Sequence, residues 1–270
     1  MSGSADILVT DSITRLDAPN GKVIVAASHG AIYAAYLAAK AQARGVILND
    51  ASVGRDGAGI SGLAYLAGFD MPAATIAHDS ARIGDGADMI ARGRISHVNP
   101  PAAALGVAPG QACRDAAQKL CGAPARALAV PTLTETRNRV LAGSPPVWAI
   151  DSASLTGPAD DGAIVITGSH GGLLGGRPDS ALKSTPRAAL FSDAGVGIDQ
   201  AGISRLPALA ARGIAAATVS AASARIGDAR SIYQDGVISH VNAVAAAAGA
   251  RPGMTARDFV ALFLNEGRRK

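Results

Sequence analysis

The chain has 270 residues, 49% of them hydrophobic and 17% charged, which is enough apolar material for one large domain or two small ones and argues against disorder. Aromatic residues make up only 3%, so the core must pack through small side chains, and the stacking platforms that single-stranded nucleic acid needs are missing. The net charge of +4 comes from scattered Lys and Arg, which permits small anionic partners but forms no nucleic-acid stripe; the one dense basic run, Arg268-Arg269-Lys270, reads as a solvated end.

In chain order, Ile7 to Thr10 reads as a first strand. Val23 to Ala27 reads as a second, apolar at every position and so buried on both faces. Ala31 to Ala43 is rich in Ala and Leu and predicts a helix. Gly45 to Asn49 is a third strand ending at Asp50, and a glycine-bearing loop follows to Ala58. Gly59 to Ala67 predicts a helix, Ala73 to Ala77 a strand ending at His78, Gly84 to Arg92 a short helix and Arg94 to Val98 a fifth strand. Further helices are expected after Asn99 and Gly110. Strands alternating with helices predict an α/β fold, a mostly parallel sheet with helices on both faces. Ser28, His29, Asp50, His78, His97 and Asn99 then collect at strand ends, and open sheets of this kind bind ligands beyond the carboxyl ends.

The same pattern returns later in the chain. Ser80-Ala81-Arg82-Ile83-Gly84-Asp85 recurs as Ser223-Ala224-Arg225-Ile226-Gly227-Asp228, and Ile95-Ser96-His97-Val98-Asn99 as Ile238-Ser239-His240-Val241-Asn242, each 143 positions on. Asp50 and Asp193 keep that spacing, and Ser28-His29-Gly30 is matched by Ser169-His170-Gly171. The expectation is a tandem duplication of a β-α-β-α-β unit with pseudo-two-fold symmetry: a first α/β repeat over 1–133, a linker over 134–146 and a second repeat over 147–270. Alanine-rich helices bury little area each, so a homo-oligomer is expected as well.

The two halves differ after the Ser-His-Gly motif. The second reads Gly172-Leu173-Leu174-Gly175-Gly176-Arg177-Pro178, and its glycines and proline forbid the first turns of a helix like the one at 31–43. A glycine loop lets backbone approach a ligand, so the second half is expected to carry the chemistry.

His170 would be the base, Asp193 its orienting partner, and the Gly171 and Gly172 amides the oxyanion donors. Ser169 would be the nucleophile, or a water in its place. Arg225 would clamp a carboxylate. Ser28, His29, Gly30, Asp50 and Arg82 are their counterparts in the first half. The resulting expectation is a hydrolase of a small anionic, carboxylate-bearing substrate, working without cofactor or metal. A lyase or isomerase would use the same parts, and a small-molecule binding protein would hold them without chemistry. His97 and His240 read as buried, hydrogen-bonded histidines, and Asp85, Asp228 and Asn99 as helix caps.

Phosphate-loop, dinucleotide-fingerprint, nucleophile-elbow and metal-ligand spacings do not occur. Cys113 and Cys121 are eight apart in a predicted helix, about 12 Å at ~1.5 Å per residue, which is beyond disulfide reach. With no signal-peptide pattern at the start and no apolar run of ~18–20 residues, a cytoplasmic chain without a membrane partner is expected.

Overall fold

The computed structural model describes residues 6–16 and 21–265; the basic tail at 268–270 lies outside them. The fold is α/β, with two mostly parallel mixed sheets of five and six strands. The chain divides into two compact units. The first takes Met1–Val53, Gly57–Leu133 and the tripeptide Gly197–Asp199; the second takes Gly54–Asp56, Thr134–Val196 and Gln200–Lys270.

In the first unit the strands are β1 (Ile7–Thr10), β2 (Val23–His29), β3 (Gly45–Asn49), β4 (Ala73–Ile76) and β5 (Ile95–Val98), lying side by side in that order. The first four are parallel and β5 pairs antiparallel with β4. The helices are α1 (Ile32–Lys40), α2 (Ser61–Ala67), α3 (Gly86–Arg92), α4 (Pro100–Ala104) and α5 (Cys113–Leu120). Strand β2 is apolar throughout because both its faces are covered. Val23, Val25 and Ala27 pack with Met89 of α3 and Ala116 and Leu120 of α5. Ile24 and Ala26 pack with Ala34 and Ala38 of α1 and Leu66 of α2.

In the second unit the strands are β6 (Arg137–Leu141), β7 (Val147–Ile150), β8 (Ile164–His170), β9 (Ala188–Ser192), β10 (Ala215–Val219) and β11 (Ile238–Val241). Strands β7 to β10 are parallel, and antiparallel β6 and β11 close the two edges. Helices α6 (Arg205–Ala210), α7 (Ala229–Asp235), α8 (Ala243–Ala247) and α9 (Ala256–Asn265) cover it. The stretch 134–146, expected as a linker, carries β6. Arg137 anchors that strand by an ion pair with Asp160 and lies over the Trp148 ring, 4.5 Å from its centroid. Charged side chains on an edge strand hid this pairing from hydropathy.

The expected difference between the halves takes a definite form. Between β8 and β9 the described residues form two 3₁₀ turns, Leu174–Gly176 and Pro178–Ser180, where α1 stands in the first unit. Gly62 lets α1 come close to α2: a Cβ there would lie 2.6 Å from the Ala35 Cβ and 2.7 Å from the Gly30 carbonyl oxygen. The residue 143 positions on is Arg205. Its backbone N–H donates to Gly171 O, as the N–H of Gly62 does to Gly30 O, both at 2.8 Å. The Arg205 side chain is buried. It donates to the Gly172 and Ala181 carbonyls and lies over Phe191. A guanidinium thus fills the space and satisfies loop carbonyls that a helix would have satisfied internally. Among the described residues no helix is long and apolar enough to cross a membrane.

Candidate functional site

The Ser-His-Gly segments end β2 and β8, each just after a shift in register against the neighbouring strand. Such a shift re-aims side chains, and here it turns the serines onto backbone. Ser28 Oγ accepts the Ile13 N–H at 3.0 Å, and Ser169 Oγ accepts the Ala153 N–H at 2.9 Å. The histidines make a second local bond: His29 Nδ1 accepts from the Ala31 N–H at 3.4 Å, and His170 Nδ1 from the Gly172 N–H at 3.1 Å. An imidazole whose Nδ1 accepts from an amide carries its proton on Nε2 when neutral, which leaves it poorly set to take another. Burial also pushes His29 down to about 4, far from the neutral range in which a general base works best.

The expected oxyanion donors are committed too. The Gly171 N–H donates to Ser192 O at 2.7 Å, as Gly30 does to Asn49 O at 2.8 Å, and the Gly172 N–H serves His170. These glycines are needed for close packing: a Cβ on Gly30 would lie 2.5 Å from Gly59 O, and one on Gly171 2.5 Å from Gly202 O. The arginines expected to clamp substrate are ion-paired. Within the first unit Arg82 holds Asp199 at 2.9 Å, and Arg92 holds the same carboxylate at 2.6 Å. A hydrogen bond from Arg92, opposed by desolvation and joined by the charge of both arginines and a hydrogen bond from Arg82, keeps Asp199 below the usual carboxylate range. Within the second unit Arg225 pairs with Asp56 at 3.0 Å and Asp228 at 3.2 Å.

The two strand-end aspartates are buried at 4% exposure, and both act first as backbone clamps. Asp50 Oδ1 accepts the N–H groups of Ser52 and His78, each at 3.0 Å. Asp193 Oδ1 accepts those of Gly195 and Ala221, each at 2.9 Å. The clamps hold a backbone that L-residues avoid. Ala51, Ser52 and Val53 have φ of 45°, 61° and 65°, and Ala194 and Val196 have 48° and 65°. A β-branched residue there persists only when its surroundings over-determine it.

Asp50 does one thing more. Its Oδ1 lies 3.0 Å from Nδ1 of His78, so the ring that Asp50 holds is His78, which follows β4, and not His29. Burial alone would raise the Asp50 pKa. The hydrogen bond and charge of His78, with hydrogen bonds from Ser96 and the His78 backbone, more than offset that and leave it lowered. Asp50 is therefore an acceptor, Nδ1 of His78 is the donor, and the basic lone pair of the neutral ring is at Nε2. Ser96, on β5, also bonds to the Thr75 hydroxyl at 3.0 Å. The His78 side chain is 29% exposed, so it reaches both the buried carboxylate and the surface.

No protein-family model matches this sequence, and no curated protein or solved structure matches it.

His78 was legible as a strand-end histidine but carried no motif, because Ala221 stands 143 positions on and breaks the recurrence. The capping aspartates and asparagines behave as expected, with Asp85, Asp228 and Asn99 each accepting a first-turn N–H. His97 and His240 differ from expectation: the Nδ1 atom of each is buried without a hydrogen-bond partner among the described residues. Among those residues no three of His, Cys, Asp and Glu are grouped as around a metal ion.

Proposed function

We propose that the protein is a hydrolase of small carboxylate-bearing substrates in which His78, oriented by Asp50, draws a proton from water. The observation that carries this is the 3.0 Å contact between His78 Nδ1 and the buried Asp50 carboxylate. A carboxylate on Nδ1 fixes the tautomer, leaves the basic lone pair on Nε2 and stabilises the imidazolium that forms. Arg82, four residues on and 46% exposed, offers a guanidinium that a substrate carboxylate can take over from Asp199, since exposed ion pairs are worth little.

A second reading is proton abstraction next to a carbonyl, as in a lyase or isomerase. The same His78–Asp50 pair would supply the base for it. The two free cysteines, one with its thiol pushed up to about 12 by burial and so inert, suit a reducing compartment such as the cytoplasm. The same reading has the chain working as a homo-oligomer without a nucleic-acid partner.

The test is a screen of carboxylate-bearing esters, cyclic amides and 2-hydroxy acids with the wild-type chain, His78→Ala and Asp50→Asn. A hydrolytic turnover that falls with both variants supports the first reading; proton exchange at carbon without hydrolysis supports the second. Turnover that survives His78→Ala overturns both.

A further inference from the structure

We propose that the first unit holds a second site, for a small oxyanion, at the end of its sheet opposite His78. Arg44 immediately precedes β3, and Met71 and Pro72 immediately precede β4, so they mark the amino ends of parallel strands whose carboxyl ends carry Asp50 and His78. A shallow cleft, open to solvent, lies there, and its walls include Arg44, Asp70, Met71, Pro72, Arg126 and Leu128. Its outer wall is an extended strap after α5. That strap is fixed by a reciprocal pair of bonds: Gln42 Nε2 donates to Leu128 O at 3.1 Å, and the Leu128 N–H donates to Gln42 Oε1 at 2.8 Å.

Among the described residues that line the cleft, two are arginines and one is a carboxylate, Asp70. Arg126 pairs with Asp70 at 2.6 Å, and both side chains are substantially exposed, at 45% and 63%. Among the described residues Arg44 has no carboxylate partner. One of its terminal nitrogens, Nη1, donates to Cys121 O at 2.9 Å, while Nε is buried and lacks a hydrogen-bond partner among the described residues. Two guanidiniums on one cleft are suited to the oxygens of a carboxylate or phosphate, which brings negative charge to match them. The cleft is small and its apolar wall short, so it fits an oxyanion or the headgroup that bears one.

The full chain is titrated with sodium phosphate and separately with sodium acetate, by calorimetry and by thermal unfolding, each against sodium chloride at equal ionic strength. Saturable binding with a raised unfolding temperature is expected, and the tighter of the two salts tells phosphate from carboxylate. Arg126→Ala, an exposed substitution that leaves folding intact, is expected to weaken binding about tenfold, the loss of one charge-assisted hydrogen bond. Asp70→Asn removes the competing carboxylate and is expected to tighten it. The effects of His78→Ala on turnover and of phosphate on stability are separate readouts, so each site stands or falls alone. No saturable binding of either salt, or binding that Arg126→Ala and Asp70→Asn both leave unchanged, overturns the proposal.

Discussion

Asp50 and Asp193 end equivalent strands in the two units and differ in what they hold. Each clamps two amides and stabilises a left-handed turn, but Asp50 also binds the His78 ring where the second unit has only the methyl group of Ala221. The carboxylate is thus a structural device first. It becomes a candidate for chemistry only where a histidine follows the next strand. The loop that distinguishes the second unit at the level of sequence is held in place by Arg205, and the amides of Gly171 and Gly172 are spoken for; Gly171 serves close packing, while Gly175 and Gly176 serve turns of positive φ. The comparison moves the proposed chemistry from His170 to His78.

The sharpest test of that comparison is to exchange the residues. His78→Ala is expected to lower kcat by about 10³-fold, within the range for a lost general base. His170→Ala should leave kcat close to wild type in the same assay. Equal losses in the two variants would restore the second unit as a partner in the reaction.

Arg205→Ala comes next in size. It strips the buried carbonyls of Gly172 and Ala181 of a donor and opens space beside Phe191, and a loss of about 3 kcal/mol is expected from urea unfolding. A loss below about 1 kcal/mol would show that the 3₁₀ turns stand without it. Gly62→Ala probes the same place in the first unit, where the added methyl meets Ala35. The helices α1 and α2 must separate, and about 2 kcal/mol is expected; an unchanged unfolding midpoint would refute the close packing.

The effects in pH dependence have opposite signs in the two units and partly cancel in the wild-type chain. His29 has its pKa depressed to about 4 from an ordinary value of 6.5, so the unfolded chain takes up its proton first, and stability falls as pH drops from 6.5 to 4. Glu135 is raised to about 7 from 4.5, chiefly by burial and then by the Asp151 charge, against a hydrogen bond from Ser152. Its contribution is fully present below pH 4.5 and is lost as pH rises to 7. Between pH 4.5 and 6.5 the two slopes oppose each other. His29→Gln should make stability fall more steeply with rising pH there, and Glu135→Gln should make it rise more steeply. Parallel melting curves across that window decide, and identical slopes in the two variants would remove both assignments.

Much of this was legible in the residues alone. Val23 to Ala27 could only be a strand covered on both faces, and the alternation of such runs with helical ones set the α/β class, because hydropathy period and length constrain local structure directly. The glycines and Pro178 after His170 ruled out a helix there by backbone stereochemistry, which needs no knowledge of neighbours.

What tertiary structure decided was partnership. Whether Asp50 faces His29 or His78 depends on strand register and on a register shift in β2 that no local pattern encodes. Arg82 finds its acid 117 positions away, and Arg225 finds one 169 positions away. The strand at Arg137–Leu141 exists because β7 offers it an edge and Asp160 a charge. Local propensity follows from a few consecutive side chains. Which lone pair meets which proton follows from where the whole chain brings them.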